Sequence, residues 1–580
     1  MSTPSATQKE TAAHYFVEGL VETGFEYLFS NLGTDHVSLI EAMATWRKQG
    51  RQPPKTILCP HENVAVHMAG GYASATGKGQ AVMVHVDAGT ANAAMGMHNL
   101  FRSRTPVLLL AGKAPFTLRG ELPASRDNYV HFVQDPFDIA SVVRPYTKWE
   151  YNLPSGVVVK EALQRAHTMM QSDPPGPVYM TLPRETLAEP LAADQVRSFD
   201  AQRFGPVRAG GISDAQAERI ADQLIQAERP IIVTAYLGRN PAAVPVLEAL
   251  AESLGIPVYQ FSPTHLNLSH AHPCFAGYEA KQAIESTDCG LLLDVDVPWL
   301  PTYTQESSAS TWIHIDVDAV KKDFPMWGFP SNCRVQADCE QALQQVLRAV
   351  QRKRRPETEQ RTRQRLEALQ AAAAKRVSAA QAEAAAPGKP GELNPAYVCA
   401  RVSRYLAQSD VVINEAIRNA GNVLKQVRRT EPGTLFSTAG GGLGYSGGMA
   451  LGIKLARPDA KVVQFVGDGG FHFSTPTSVY AVAQQYRLPI FTIVLDNGGW
   501  QAVKEAVLRV YPDGDANAAG EFEARLEGVG RRRFDRVGEA FGAHGEYVDD
   551  PAQLDQAIER CLKANEQGQA AVLQVSVSKL

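Results

Sequence analysis

The chain has 580 residues, enough for three or four domains of ~150 residues with large buried cores. It carries 57 Lys and Arg against 61 Asp and Glu, a formal net charge of −4, which argues against an electrostatically driven binder of nucleic acid or of an anionic membrane surface. Its 44% hydrophobic and 20% charged content is that of an ordinary globular protein, and no run approaches the ~20 apolar residues of a membrane span. Seven cysteines (Cys59, Cys274, Cys289, Cys333, Cys339, Cys399 and Cys561) share no short repeated spacing. Neither a zinc knuckle nor a disulfide framework is expected, and a reducing compartment is implied.

The N-terminus is polar and then amphipathic, with no basic segment leading into an apolar core, so no secretory signal is read there. In residues 1–190, Ala81–Val86 and Pro106–Gly112 read as buried strands, each running into a glycine-containing loop of the kind where parallel α/β sheets bind ligands. Residues 191–350 hold four short strands, Pro230–Thr234, Ile256–Tyr259, Gly290–Asp294 and Trp312–Asp316, with helical patterns between them. Residues 351–394 start basic, become Ala-rich and end in Ala-Pro-Gly-Lys-Pro-Gly, the composition of a helical arm followed by a flexible linker. Residues 395–580 contain two more buried strands, Val462–Val466 and Pro489–Leu495, each followed closely by an Asp. The fold class is therefore α/β, with three Rossmann-like parallel-sheet domains. The last three residues, Ser578-Lys579-Leu580, match a peroxisomal address that has meaning only in a eukaryote. The composition reads as bacterial, so the cytoplasm is the expected location, with the peroxisome as the eukaryotic alternative.

The sharpest signal is Gly467-Asp468-Gly469-Gly470 after one strand and Asp496-Asn497-Gly498-Gly499 after another, 29 positions apart from Asp468 to Asn497. A carboxylate, an amide oxygen and a free carbonyl supply the hard oxygens that Mg²⁺ prefers, while glycines let backbone N–H groups approach a diphosphate. Either motif alone reads equally as a turn with an Asp cap; together they are specific. This pair resembles the diphosphate-binding signature of the thiamine diphosphate (ThDP) enzymes. That resemblance implies Asp468, Asn497 and the Gly499 carbonyl as Mg²⁺ ligands, with Gly467, Gly469 and Gly470 around the cofactor. Asp496 departs from the family's usual Asn.

The same family requires a glutamate from its pyrimidine-binding domain, and His61-Glu62-Asn63-Val64-Ala65 followed by Ala69-Gly70-Gly71-Tyr72-Ala73 is similar to its pattern. Glu62 is the implied activating carboxyl, which hydrogen-bonds the pyrimidine ring. Ala439–Gly452 is similar to the family's glycine-rich segment. Leu443 is the implied bulky residue under the cofactor and Gly441 the carbonyl that receives its amino group, although Gly448 replaces the usual Pro. The resemblance spans the chain: pyrimidine domain 1–190, middle domain 191–350, arm and linker 351–394, and diphosphate domain 395–580. It is strongest to the branch of acetolactate synthase, benzoylformate decarboxylase and 2-hydroxyacyl-CoA lyase, and it implies a homodimer or homotetramer in which Glu62 serves the other subunit's cofactor.

Which reaction follows is less sharply marked. His85 stands where benzoylformate decarboxylase has an active-site histidine, and a His can relay a proton near neutrality. A core histidine on a buried strand is the alternative. Val130–Asp135 resembles an acetolactate synthase segment and puts Gln134 and Phe132 near a second substrate. Thr34, Asp35 and His36 either face the reacting carbonyl or form a helix cap and first turn. In the branch the middle domain holds FAD or a CoA nucleotide. Ala235-Tyr236-Leu237-Gly238-Arg239 lacks a Gly-rich turn, and Arg239, Lys281, Lys321 and Lys322 form no clear basic cluster. A nucleotide-free domain is expected, with FAD as the less expected alternative. The expected activity is acetolactate synthase-like decarboxylation of a 2-keto acid with carboligation. A benzoylformate-type decarboxylase, a 2-hydroxyacyl-CoA lyase and a non-catalytic ThDP-binding homologue stand behind it. A nicotinamide dehydrogenase lacks its G-x-G-x-x-G.

Overall fold

A computed structural model describes residues 10–200, 203–524 and 532–579. Leu580 lies outside the described residues, as do residues 1–9 of the first domain. Three six-stranded sheets carry the architecture, and every strand pairing within them is parallel. The first comprises β1 (Tyr27–Ser30), β2 (Lys55–Leu58), β3 (Gln80–Val84), β4 (Val107–Lys113), β5 (Glu150–Asn152) and β6 (Val178–Pro183), in the order β2-β1-β3-β4-β6-β5. The second comprises β7 (Pro230–Thr234), β8 (Val258–Gln260), β9 (Phe275–Gly277), β10 (Cys289–Leu293), β11 (Thr311–Asp316) and β12 (Cys333–Gln336), in the order β9-β8-β7-β10-β11-β12. The third comprises β13 (Val411–Glu415), β14 (Leu435–Phe436), β15 (Val462–Gly467), β16 (Phe491–Asp496), β17 (His544–Val548) and β18 (Ala571–Ser576), in the order β14-β13-β15-β16-β18-β17.

Helices cover both faces, so β3, β7 and β10 are buried along their whole length, which is why they read as unbroken apolar runs. In each sheet the chain turns outward in both directions from one pair of neighbours: β1 and β3, β7 and β10, β13 and β15. Beyond the carboxyl ends of such a pair lies the crevice where an open α/β sheet binds its ligand. Asp35 and His85, which follow β1 and β3, and Asp468, which follows β15, fall there.

The first and third domains share one apolar core, which runs through α1 (Glu62–Thr76) and α2 (Ser446–Ala456). These helices pack backbone to backbone. A Cβ on Gly71 would overlap the Met449 carbonyl, and one on Gly448 would lie 2.8 Å from the His67 Cβ and 3.0 Å from the Val64 carbonyl oxygen. Gly448 therefore suits this packing where a ring would not. A helix Pro356–Glu383 occupies the predicted arm. In the segment after it, read as a linker, Gly388–Lys389 and Glu392–Leu393 form a small antiparallel hairpin. Gly391 donates its N–H to the Asp549 carbonyl at 2.6 Å and accepts from the Ser576 hydroxyl at 2.7 Å, which ties the hairpin to the third domain. Gly388 and Gly391 have φ of 86° and 83°, so these glycines permit a tight reversal.

Candidate active site

In the third domain, β15 delivers Gly467 and then Asp468 at the start of a short helix, while β16 ends at Asp496 and is followed by Asn497, Gly498 and Gly499. Gly498 and Gly499 have φ of 83° and 151°, a reversal that side-chain-bearing residues resist. Asp468 and Asn497 are both buried. Burial, with the Asp496 carboxylate beside it, pushes the Asp468 carboxyl up to about 6. The Asn497 Oδ1 is buried with no hydrogen-bond partner among the described residues, a costly condition that a cation would relieve. Gly469 and Gly441 have nothing within 4 Å of where a Cβ would stand, so their backbone faces open space. This donor set fits Mg²⁺ held together with a diphosphate. Among the described residues no group of three His, Cys, Asp or Glu could hold a metal, so Asp468 would share the ion with the Asn497 amide oxygen, a backbone carbonyl such as that of Gly499, and non-protein oxygens.

The glycine segment that leads to Leu443 is shaped from two sides. The Glu415 carboxylate at the end of β13 accepts the N–H of Gly444 at 2.5 Å and of Ser446 at 3.0 Å, and burial pushes Glu415 up to about 7. From the first domain, Asn99 donates to the Gly442 carbonyl at 2.9 Å and accepts its N–H at 3.0 Å, and Asn63 donates to the Gly444 carbonyl at 3.1 Å. Beside Gly441 and Leu443 opens a cavity of about 440 Å³ whose wall includes Phe261, Tyr278, Ile417 and Leu424 and contains no charged side chain. Ile417 holds φ at 41°, a strained conformation for a β-branched residue, which places an exposed apolar side chain at this rim.

In the first domain, Glu62 opens α1 and is 5% exposed. Its carboxylate accepts from the Asn31 amide at 2.9 Å and the Asn92 amide at 3.0 Å. Next to it the structure brings together three residues that the sequence presented separately. The His85 Nδ1 lies 2.6 Å from the Asp35 Oδ1, and the His85 Nε2 lies 2.9 Å from the Gln134 Oε1. The Asp35 hydrogen bond raises the pKa of His85 against its partial burial. Against the cost of its own burial, Asp35 is held below the ordinary carboxylate range by that same bond and by His36.

Two glycines make room for the pair. A Cβ on Gly33 would overlap the His85 ring, and one on Gly112 would overlap the Asp35 carboxylate. Val86, directly after His85, has φ of 39°, so the backbone carries strain where the imidazole is presented. His36 takes the turn role instead: it is fully buried, and its Nδ1 accepts the Gly33 N–H at 2.9 Å.

Several residues of the site escaped the sequence reading. Asn31 and Asn92 are ordinary amides in the sequence, and only the fold shows that both reach Glu62. Glu415 carries a signal that could have found it, a carboxylate ending the apolar run Val411-Val412-Ile413. Arg532 carries none. Its guanidinium lies 3.2 Å from the Asp468 Oδ2 through one terminal nitrogen and 3.2 Å from the Asp496 Oδ1 through the other.

At the crevice of the middle domain, protein groups bond one another across the strand ends, and beside them opens a cavity of about 490 Å³ whose wall includes Arg104, Arg208 and Arg239. Tyr236 and Asp294, at the ends of β7 and β10, close across it through the Tyr236 N–H to the Asp294 carbonyl at 2.9 Å. Beneath, the Tyr236 hydroxyl bonds Asp316 at 2.6 Å, and Lys321 bonds Tyr236, Asp296 and Asp316 at 2.7, 2.8 and 2.8 Å. Arg104 of the first domain enters the same network, 2.7 Å from Asp296 and 2.9 Å from Asp318. Lys281 pairs with Glu285 at 3.8 Å on the surface, so the basic residues read from the sequence do not converge.

Family models match the three domains in turn. The thiamine pyrophosphate enzyme N-terminal TPP binding domain matches residues 10–142, the central domain residues 217–346 and the C-terminal TPP binding domain residues 419–575. Acetolactate synthase isozyme 3 large subunit of Escherichia coli is 22% identical over 98% of this chain and 95% of its own length. Benzoylformate decarboxylase of Pseudomonas aeruginosa is 24% identical over 83% of this chain and 85% of its own. Among solved structures, a thiamine diphosphate-dependent 4-hydroxybenzoylformate decarboxylase from Rhodococcus jostii superposes with a TM-score of 0.76 at 20% identity, covering 98% of this chain and 99% of that one.

Proposed function

The chain belongs to the thiamine diphosphate-dependent enzymes, in the branch of acetolactate synthase, benzoylformate decarboxylase and 2-hydroxyacyl-CoA lyase, and from that premise we propose that it decarboxylates a 2-keto acid and releases the aldehyde. The observation that carries this reading is the Asp35–His85 pair at 2.6 Å beside Glu62. When bound, ThDP supplies the carbanion that attacks the substrate carbonyl and the sink for the electrons left by CO₂. Asp468, Asn497 and the Gly499 carbonyl would hold Mg²⁺, and Glu62 would hydrogen-bond the pyrimidine. Asp35 fixes the His85 ring with Nδ1–H toward itself, so Nε2 is the atom that delivers a proton to the substrate-derived carbon.

This reading places decarboxylation ahead of the acetolactate synthase-like activity expected from the sequence. Carboligation stands second, and Gln134 favours it: its Oε1 accepts from the very His85 nitrogen that would deliver the proton, which would leave time for a second carbonyl to react. Proton NMR of products from pyruvate, 2-ketobutyrate and benzoylformate, alone and with aldehydes, tests the two. Free aldehyde is expected with benzoylformate; cofactor-dependent 2-hydroxyketones or acetohydroxy acids as sole products would overturn the order. Asp35→Asn removes the negative charge that favours the imidazolium, so the alkaline limb of the pH profile of turnover should move to lower pH. An unmoved limb would show that His85 does not deliver the proton.

The Tyr236–Asp294 bond across the ends of β7 and β10, and the lack of a glycine-rich turn after β7, support a nucleotide-free chain. The purified protein is expected to show no flavin absorbance and to release no nucleotide on denaturation; stoichiometric FAD would contradict this. Exposed apolar side chains of the first domain, Phe116, Leu118, Tyr129, Phe132 and Phe137, support a homodimer, or a tetramer built from it, in which Glu62 of one subunit serves the third domain of the other. No described helix is long and apolar enough to cross a membrane.

A further inference from the structure

The departure at Asp496 has a structural counterpart in Arg532. Asp496 brings a second carboxylate next to the implied metal ligand Asp468, and two anions at one buried site repel. Arg532 bridges them, at 3.2 Å from each. The bridge is anchored on one side only. Asp496 accepts the Gly498 N–H at 3.1 Å and the Gln574 amide at 2.9 Å, and that same Gln574 amide donates to the Arg532 backbone carbonyl at 3.1 Å. The Gln574 Oε1 accepts the Phe534 N–H at 2.8 Å, and Gln574 is fully buried. Gln574 therefore locks Asp496 and the Arg532 backbone into one unit. Among the described residues, Asp468 makes no such bond to that unit beyond the guanidinium itself.

A divalent cation on Asp468 and Asn497 repels the guanidinium nitrogen now on Asp468, while the diphosphate that arrives with it offers new acceptors in the same place. Guanidinium geometry suits two anions presented side by side. We propose that Arg532 is a diphosphate ligand that exchanges partners: one terminal nitrogen stays on Asp496, and the other passes from Asp468 to a diphosphate oxygen when Mg²⁺ and the cofactor bind. Asp496, in place of the usual amide, is the residue that keeps the guanidinium at the site. The inference rests on the reading of Asp468 and Asn497 as metal ligands.

Two titrations of opposite sign test it, followed by calorimetry on the full chain stripped of cofactor. With Mg²⁺ and ThDP together, Arg532→Gln should bind the cofactor about 10- to 100-fold more weakly, the loss of one charge-assisted bond. With Mg²⁺ alone, the same variant should bind the ion more tightly than wild type, because the competing cation is gone and both carboxylates remain. A residue needed only for folding would weaken both. Asp496→Asn should also weaken ThDP binding, and the double variant should be no weaker than Arg532→Gln, since the two act as a unit. Unchanged ThDP affinity in Arg532→Gln, Mg²⁺ binding that weakens in it, or additive losses in the double variant would each overturn the proposal. Failure of wild type to bind Mg²⁺ with ThDP would instead remove the metal-site reading on which it rests.

Discussion

Glu62→Gln is expected to lower turnover by about 10²- to 10⁴-fold while the chain folds and binds its cofactor as before. Only a carboxyl can hydrogen-bond the pyrimidine ring nitrogen in one step and take or return a proton in the next; the amide keeps the shape and loses the exchange. The surroundings make the substitution tolerable. Glu62 meets only the side-chain amides of Asn31 and Asn92 among the described residues, and either amide can turn over to present its oxygen to the nitrogen of the introduced side chain. Circular dichroism and oligomer size should therefore match wild type, and the calorimetric affinity for Mg²⁺ and ThDP should change little. Turnover near that of wild type would end the activating role. Glu62→Asp discriminates further, because it retains the acid and withdraws it by one methylene, so a partial loss is expected where geometry rather than acidity is at stake.

The parts of this site that the sequence displayed are those whose chemistry is local. Asp468 and Asn497 sit within a few residues of the glycines that shape their turns, and both follow strands buried on two faces, which show as plain apolar runs. The three sheets were legible for the same reason. Asp35, His85 and Gln134 were visible only as three separate candidates, because nothing local records that residues 50 and 49 positions apart converge on one imidazole. Arg104 pairs with Asp296, 192 positions away, and its own neighbourhood reads as a helix end. In the linker, glycine and proline signal a change of direction but not the hairpin that forms there. The deciding bonds, to Asp549 and Ser576, come from a distant part of the chain.

Asp468→Ala is expected to abolish Mg²⁺-dependent ThDP binding, a loss of more than ~100-fold by calorimetry, since it removes the one ionised group of the implied metal set. The sign of its effect on the unliganded protein separates this role from a structural one. Burial and Asp496 push Asp468 up to about 6, so near neutrality it is an anion held where anions are disfavoured, and its removal should not lower the unfolding temperature of the cofactor-free chain. Arg532 retains Asp496 as a partner. What should disappear is the rise in unfolding temperature that Mg²⁺ and ThDP give the wild type, because only ligand bound to the folded state stabilises it. In the wild type the same titration sets a pH limit. The metal needs the carboxylate, the proton competes for it, and binding should weaken as pH falls through about 6. Asp468→Ala that keeps the cofactor-induced shift, or that melts earlier without ligand, would show that Asp468 holds the fold and not the metal.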